Sequence, residues 1–310
     1  MGIQVLSQVM VVFILMAVGF LSFKLKITSK EIAAHFSSFG VKIAFPCLIF
    51  ASFMRPFSAE LLGEAAITMG VAFLVYGFAF LVAWVYPHIL RMKGAERGVH
   101  RYALIFPNSG FMGFPVVYAI FGPFYLFHAA VFNMPLGVLA FSVGVWLIAK
   151  EEGKAPPLSW KIFANPPMIA TLIGFALFLF SIPLPSPVEQ SIRMIGGVTT
   201  PLFMVIIGIS IAQADMKRIL GRWQIYITVA MRLLIVPALT GLFCYFIGIR
   251  DNLLILLVIL IAMPAGSTVS VIATLYDVAA EEASSIVVFS TMLSAITIPV
   301  ALIILNQIAG

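Results

Sequence analysis

Long apolar stretches fill most of this chain and leave it few ways to fold. The 310-residue sequence contains ten such stretches, each near the ~20 residues that cross a bilayer as a helix. The chain is 62% hydrophobic and 10% charged, far from the composition of a soluble domain. We predict an all-α integral membrane protein with ten transmembrane helices, at Ile3–Phe23, Ile32–Met54, Ala65–Tyr86, Tyr102–Gly122, Phe124–Ala149, Pro166–Ile182, Ile192–Ala212, Ile225–Ile247, Leu253–Ala273 and Ser284–Leu305.

The basic residues predict how these spans are oriented. With ten spans, 13 of the 18 Lys and Arg fall in loops on one side, and only Arg55, Arg193 and Arg250 fall on the other. Short loops rich in Lys and Arg stay in the cytoplasm. We therefore predict a multi-pass protein of the plasma membrane (the cell inner membrane) with both termini outside. The net charge of +6 comes mostly from the Lys and Arg of these cytoplasmic loops, so it does not require a nucleic-acid partner.

The fourth span cannot be one continuous helix. It reads RYALIFPNSGFMGFPVVYAIFG, and each proline removes a backbone donor while each glycine loosens the helix. A broken helix survives at membrane depth only when it is buried in protein or lines a cavity. We predict breaks at Pro107, Gly113 and Pro115, and a matching break at Pro264 in the ninth span. The fourth span is therefore the first candidate for a site that binds a molecule other than lipid.

The prolines also indicate an internal repeat. Pro46 and Pro201 are 155 residues apart, and Pro107 and Pro264 are 157 apart. Five spans per half is an odd number, so the second half enters the membrane with opposite polarity. Paired interrupted spans in inverted halves are typical of a transporter site at the bilayer midplane. We predict a first five-helix repeat, a cytoplasmic connector and a second five-helix repeat, at residues 1–150, 151–165 and 166–310.

Helix breaks of this kind suit an anionic ligand. A new helix start exposes N–H groups and a partial positive charge, for which a carboxylate is the natural partner. Gly113 and Gly266 would let the backbone approach closely, while Ser267 and Thr268 add hydroxyl groups. The Asn108 amide can donate to a carboxylate, or it can act as a strut that satisfies backbone groups freed by the neighbouring proline.

Three charged residues lie in or near the span interiors, where burial costs about 3 kcal/mol. Lys42 could meet an anionic substrate or a partner in the protein, or it could snorkel to the surface or bind a freed carbonyl. For Arg232 and Asp277 we predict a structural ion pair rather than direct handling of substrate or protons. His128 stands alone in an apolar run, and we interpret it as a packing residue rather than a proton-coupling group.

Several motifs together resemble one family. PNSGFMGFPVV in the fourth span, FPCLIF in the second, ANPPMIATLIGF in the sixth, and AMPAGSTVSVIATLYDV followed by STMLSAITIP in the last two are similar to motifs of the auxin efflux carrier family, the PIN proteins and their bacterial relatives. Plant PIN proteins have a long hydrophilic central loop, and a proline where this chain has Val269. The short connector and this valine indicate the prokaryote-type branch, whose members are commonly described as permeases for malate, malonate or other small organic acids.

The resemblance implies a bile-acid-symporter-like or NhaA-like fold, in which discontinuous crossover helices 4 and 9 cross each other. Helices 1, 2, 6 and 7 would form a scaffold that mediates homodimerisation, and helices 3–5 and 8–10 a transport bundle. Asn108 matches the family's substrate-contacting Asn. Asn133 lies where relatives place an amide near the substrate carboxylate, although it could also satisfy backbone freed by Pro135. The predicted substrate-binding residues are Asn108, Ser109, Asn133, Gly266, Ser267 and Thr268.

The sequence gives no support to the hypothesis that this chain is an enzyme. HExxH, GxSxG and GxxxxGK[ST] are absent, so we predict no catalytic residues, metal site or cofactor. We predict a secondary transporter that moves a small organic anion, auxin-like or malate/malonate-like, by elevator-type alternating access. The alternative is a channel or sensory membrane protein on the same scaffold. The particular acid, the direction of flux and the coupling to protons, sodium or membrane potential stay open.

Overall fold

All regular elements in the part of the chain that the structure describes are helical. The computed structural model describes residues 2–92, 94–150, 153, 165–213 and 222–309. Apart from Gly153 and Asn165, the predicted connector 151–165 lies outside these residues. The α-helices are α1 Gly2–Lys24, α2 Lys30–Phe39, α3 Phe45–Phe53, α4 Ala59–Ile89, α5 Ala95–Ile105, α6 Phe114–Phe121, α7 Leu126–Leu139, α8 Val145–Ala149, α9 Pro166–Leu179, α10 Ser186–Gly197, α11 Thr199–Ala212, α12 Trp223–Ala230, α13 Val236–Phe246, α14 Asp251–Ala262, α15 Thr268–Leu275 and α16 Ala280–Ala309.

Short π-helical turns join several of these helices end to end. They lie at Gly40–Ala44, Ser109–Gly113, Ala140–Gly144 and Met231–Ile235. After three of them, a proline is the second residue of the next helix, at Pro46, Pro115 and Pro237. Proline has no N–H and clashes with the carbonyl four residues back, so a locally wider turn accommodates it without ending the helix.

Six helical runs in the described residues are long and apolar enough to cross a membrane, which identifies a multi-pass, all-α membrane protein. They are Lys30–Phe53, Ala59–Ile89, Pro123–Ala149, Ser186–Ala212, Trp223–Phe246 and Ala280–Leu305. Four shorter apolar helices fall in the other predicted spans, at Met10–Lys24, Ser109–Phe121, Pro166–Leu179 and Asp251–Ala262. The total of ten spans, the inverted repeat and the orientation stay predictions.

The helices fall into two compact units, and the first is held together by close backbone packing. It consists of Met1–Gly70, Phe111–Met134 and Trp160–Gln213. Within it α1 packs along α11, where a Cβ atom at Gly208 would lie 1.9 Å from the Met16 carbonyl oxygen. Glycine is therefore needed on this face, because small residues allow two membrane helices to approach closely.

Aromatic side chains fill the rest of the first unit. The Phe45 ring lies 5.5 Å from Phe111, 5.1 Å from Phe114 and 5.8 Å from Phe203, in edge-to-face contacts. Such pairs add about 0.5–1.5 kcal/mol beyond their buried area. A second cluster is formed by Phe53, Phe127, Phe175 and Phe178.

The second unit contains the interrupted part of the fourth predicted span. It consists of Val71–Gly110, Pro135–Ser159 and Ala214–Gly310. Its buried core gathers apolar residues from α5, α8, α12, α15 and α16, and Phe106 and Ala265 belong to it. Each unit thus takes segments from both predicted halves of the chain. The division into two repeats and the grouping into scaffold and transport bundle stay predictions.

We expect the Gly208→Leu substitution to destabilise the first unit. The new side chain would collide with the main chain of α1, and overpacking of this kind costs about 1–3 kcal/mol. The melting temperature of the purified protein in detergent should therefore fall. Gly70→Leu is the matched control, since a Cβ atom there would meet nothing within 4 Å. Equal melting temperatures for the two variants would contradict the packing described here.

Candidate functional site

The first interruption lies directly after α5. The backbone of Phe106 is extended, with φ −105° and ψ 103°, and the helical path resumes only in the π-helical turn Ser109–Gly113. A residue that precedes proline is driven out of the α conformation by the proline ring, which explains why α5 ends where Pro107 follows. The gap therefore covers residues 106–108.

The second interruption follows α14 in the same way. Met263 has φ −59° and ψ 148°, an extended backbone that its neighbour Pro264 favours. The chain becomes helical again at Thr268. The gap covers residues 263–267, and it carries the predicted Gly266 and Ser267.

The prediction that Gly113 and Pro115 also break the fourth span is wrong. Gly113 has helical dihedral angles, φ −64° and ψ −45°, and Pro115 occupies the first turn of α6. The physical reason is the π-helical turn Ser109–Gly113, which ends at Gly113 and accommodates Pro115 in the helix that follows. The real discontinuity is confined to the residues around Pro107.

The two interruptions pair with each other inside the second unit. The Asn108 N–H donates to the Pro264 carbonyl at 2.7 Å, and the Gly266 N–H donates to the Phe106 carbonyl at 2.9 Å. The result is an isolated antiparallel bridge, which we call the paired break. Backbone groups released by one broken helix are thus satisfied by the other.

Side chains complete the hydrogen bonding of the paired break. The Ala265 N–H donates to Ser290 Oγ of α16 at 3.1 Å, and both residues are fully buried. The Thr268 hydroxyl, at the start of α15, lies 2.8 Å from the hydroxyl of Tyr102. Thr268 is therefore already held by the protein, and a ligand would have to share or displace that bond.

Arg232 binds the paired break and not Asp277, so the predicted ion pair is wrong. Its side chain is 0% exposed. Nε donates to the Met263 carbonyl at 3.2 Å, Nη1 to the Leu104 carbonyl at 2.7 Å, and Nη2 to the Ile261 carbonyl. Helix C-termini leave carbonyls unsatisfied and negatively polarised, and a buried guanidinium satisfies them at the ends of both α5 and α14.

Asn108 and Ser109 lie at the other side of the first gap, where the π-helical turn begins. Asn108 is only 7% exposed, and the structure gives its side-chain amide no hydrogen bond to another described residue. Ser109 is fully buried, and the buried Tyr76 hydroxyl lies close enough to interact with both Ser109 and Arg232. Asn108 as a whole is therefore largely buried, and its side-chain amide makes no hydrogen bond to the described residues.

The remaining predicted residues lie elsewhere. Asn133 belongs to the first unit, where its amide donates to the Ala129 carbonyl of the same helix at 2.7 Å. Lys42 is exposed in the π-helical turn Gly40–Ala44, also in the first unit. Asp277 is exposed in the connection between α15 and α16, with φ +51°. Among the described residues, no cluster of His, Cys, Asp or Glu could hold a metal ion.

Two buried histidines have partners that the sequence interpretation missed. His128 is not simply packed, since its Nε2 lies 2.8 Å from a Glu64 carboxylate oxygen. His100, which the sequence did not single out, has Nε2 3.1 Å from Glu282 and a short contact from Nδ1 to the Thr228 hydroxyl. The carboxylates are 64 and 182 residues away in the chain, so no local spacing could have indicated them.

These features define a multi-pass helical membrane protein with a polar, interrupted backbone inside one of its units, the architecture of a transporter. The chain matches the family described as membrane transport protein over residues 4–302. It therefore belongs to this family, the auxin efflux carrier family, whose members are transporters and not enzymes. Its setting is the lipid bilayer and its substrate a small molecule.

Similar proteins come from archaea, bacteria and plants. An uncharacterized transporter of Methanocaldococcus jannaschii is 25% identical over 94% of this chain and 96% of its own length. A protein of Rhizobium meliloti named "Putative malonate transporter" is 24% identical over 95% of this chain and 94% of its own. The rice protein named "Probable auxin efflux carrier component 5b" is 29% identical, over 48% of this chain and 41% of its own.

We expect the Ser290→Ala substitution to weaken the paired break. It leaves the buried Ala265 N–H without its acceptor, which costs about 1–3 kcal/mol. The melting temperature in detergent should fall accordingly. Ser285→Ala on the same helix is the matched control, because the Ser285 hydroxyl only bonds back to the Glu281 carbonyl near the surface. An unchanged melting temperature for Ser290→Ala would contradict the assigned role.

Proposed function

We propose that this chain is a secondary transporter that carries a small organic anion across the plasma membrane. The observation that carries the proposal is the Asn108 amide, which is 7% exposed and unpaired among the described residues. A polar amide in a largely buried residue gains from a hydrogen-bonding partner, and a ligand at the paired break could supply one. An amide N–H donating to a carboxylate would satisfy that requirement.

The electrostatics around the paired break favour an anion. Arg232 already satisfies carbonyls at the negative C-terminal ends of α5 and α14. The start of α15 presents the opposite, positive end of a helix. There the Val269 and Ser270 N–H groups turn back to the carbonyls of Gly266 and Ser267. A carboxylate at this helix end would have to share or displace those bonds.

The relatives narrow the substrate class. The relative from Rhizobium meliloti is named for malonate and the rice relative for auxin, and both compounds are small carboxylic acids. We propose that this chain takes a small carboxylate, bound by Asn108, Ser109, Gly266, Ser267 and Thr268. Malonate and malate are the first compounds to test.

We further propose that transport follows an elevator-type cycle in a homodimer. In this arrangement spans 1, 2, 6 and 7 form the dimeric scaffold, and the other six move with the substrate held at the paired break. Support comes from the two interrupted helices and from the resemblance of the motifs to the family. The excess of Lys and Arg in one set of loops supports ten spans with both termini outside.

The alternative hypothesis is that the chain is a channel or a sensory membrane protein. Interrupted helices also line selectivity filters and channel pores. A channel would conduct without saturation and would show no exchange of labelled for unlabelled substrate. The paired break favours the carrier, because paired interrupted helices are typical of a transporter site.

We expect Asn108→Ala to lower uptake of the substrate at least about tenfold, the effect of losing one hydrogen bond to a charged group. The loss should appear mainly as a higher KM in proteoliposomes. Because Asn108 holds the Pro264 carbonyl through its main chain, the variant should still fold.

Asn252→Ala provides the matched control, since Asn252 is an exposed residue at the start of α14. It should leave uptake unchanged. Wild-type kinetics for Asn108→Ala, with the protein intact by size-exclusion chromatography, would overturn the assignment of the site.

We expect the carrier to expose its site to the two membrane faces in turn. In a background with Cys47→Ser and Cys244→Ser, the variant Ser267→Cys should react with a membrane-impermeant thiol reagent from each side in vesicles of known orientation. Substrate should slow both reactions, and preloaded vesicles should show counterflow. Unsaturable flux without counterflow, or labelling from both sides that ignores substrate, would support the channel.

A further inference from the structure

Arg232 is the most completely buried charge in the described part of the chain, and the proposed function leaves it unexplained. It lies in the π-helical turn Met231–Ile235, and its side chain is 0% exposed. A lone ion in an apolar interior carries a very large desolvation penalty, so buried charges are normally paired or bind ions. Here all three guanidinium nitrogens bind main-chain carbonyls, and no carboxylate of the described residues is among their partners.

The three carbonyls have a common origin, because each comes from the end of a helix that the paired break interrupts. Leu104 is in the last turn of α5, Ile261 is in the last turn of α14, and Met263 is the residue after α14. Both helix ends carry a partial negative charge, and they face one position. Carbonyl oxygens converging from half-helix C-termini are the kind of cage that holds a bound cation in transporters with broken helices.

We propose that Arg232 is a tethered cation that occupies a cation-binding cage formed by the ends of α5 and α14. The side chain holds the two ends together as a bound ion would, and it supplies a permanent positive charge beside the substrate position. Transport then needs no dissolved cation at this place. The role of this charge beside the substrate, and the lack of need for a dissolved cation, rest on the proposed function. The cage itself does not.

The cage makes a specific prediction about a shortened side chain. Arg232→Ala removes the guanidinium but leaves the three carbonyls and the space that it filled. Guanidinium or methylguanidinium ions at millimolar concentration should bind there and raise the melting temperature of the variant in a saturable way, since a ligand that binds the folded state stabilises it. The parent protein should show no such response, because its cage is already full.

Two further variants separate this proposal from a general packing role. Arg232→Met fills most of the same space with apolar atoms, and we expect it to be destabilised and not rescued by guanidinium. Arg250→Ala removes another arginine that donates to main-chain carbonyls near a helix end, at Tyr245 and Ile249, but from an exposed position. We expect no loss of stability and no response to guanidinium for Arg250→Ala.

Transport supplies a second measurement with its own outcome. Uptake by Arg232→Ala should fall at least about tenfold, as expected when an interaction with a charged group is lost, and methylguanidinium should restore part of it. Uptake by the parent should be the same when Na⁺ is replaced by choline. If Arg232→Ala melts like the parent, or if Na⁺ stabilises the parent but not Arg232→Ala, the proposal is overturned.

Failure to fold does not leave the proposal untested. Should Arg232→Ala purify only when methylguanidinium is present, that dependence supports the cage, whereas a variant that methylguanidinium neither stabilises nor helps to purify contradicts it. The melting experiments use no substrate. A guanidinium response of Arg232→Ala, together with a parent protein that takes up no carboxylate, would therefore uphold the cage and reject the proposed function. Carboxylate uptake without a guanidinium response would do the reverse.

Discussion

The fold of the second unit depends on satisfying the backbone groups that two interrupted helices leave open. In an apolar surrounding, each unpaired N–H or C=O is expensive, and water is not there to compensate. The structure meets this requirement from three directions. The two gaps pair with each other through Asn108 and Gly266, Ser290 holds one further N–H, and Arg232 holds the carbonyls at both helix ends.

This arrangement explains why the gaps fall where they do. Proline disfavours the α conformation in the residue before it, and both gaps begin with a residue that precedes proline. Gly266 is also constrained, because a Cβ atom there would lie 3.1 Å from the Phe106 carbonyl oxygen, which is tighter than nearly all such contacts. Elsewhere a proline two residues after a π-helical turn leaves the helix continuous, so proline alone does not break these spans.

The sequence therefore predicted the helical membrane class well and the chemistry of the gap only in part. Pro107 and Pro264 could be located from residue types, because helix breakers in an apolar run have a direct local effect. The partners of Arg232 could not, since they are main-chain carbonyls that any residue provides. A search among side chains points to a carboxylate near the end of a predicted span, Asp277, and misses the helix ends. The partners of His100 and His128 were missed for a related reason, as they come from distant segments.

Asn108 and Asn133 show how the structure separates residues that look alike in the sequence. Both are asparagines within two residues of a proline in an apolar span, and both could either bind a ligand or satisfy the backbone. The Asn133 amide donates to the Ala129 carbonyl, one turn earlier in its own helix. The Asn108 side chain has no such bond among the described residues, and its main-chain N–H donates to the Pro264 carbonyl of the paired break. The side-chain amide of Asn108 is therefore the better candidate for substrate contact.

The polarity of the paired break also bears on the sign of the ligand. A helix break creates two kinds of end, and a protein can satisfy one kind while leaving the other to its ligand. Here the carbonyl-bearing ends are bound by a fixed positive side chain, which has the effect of removing the attraction for a second cation. At the start of α15 the Thr268 hydroxyl bonds to the Tyr102 hydroxyl. Both groups are neutral, so they leave the positive polarity of that helix end in place. This arrangement fits the proposed anionic substrate, because Arg232 occupies the negative ends while the start of α15 keeps its positive polarity.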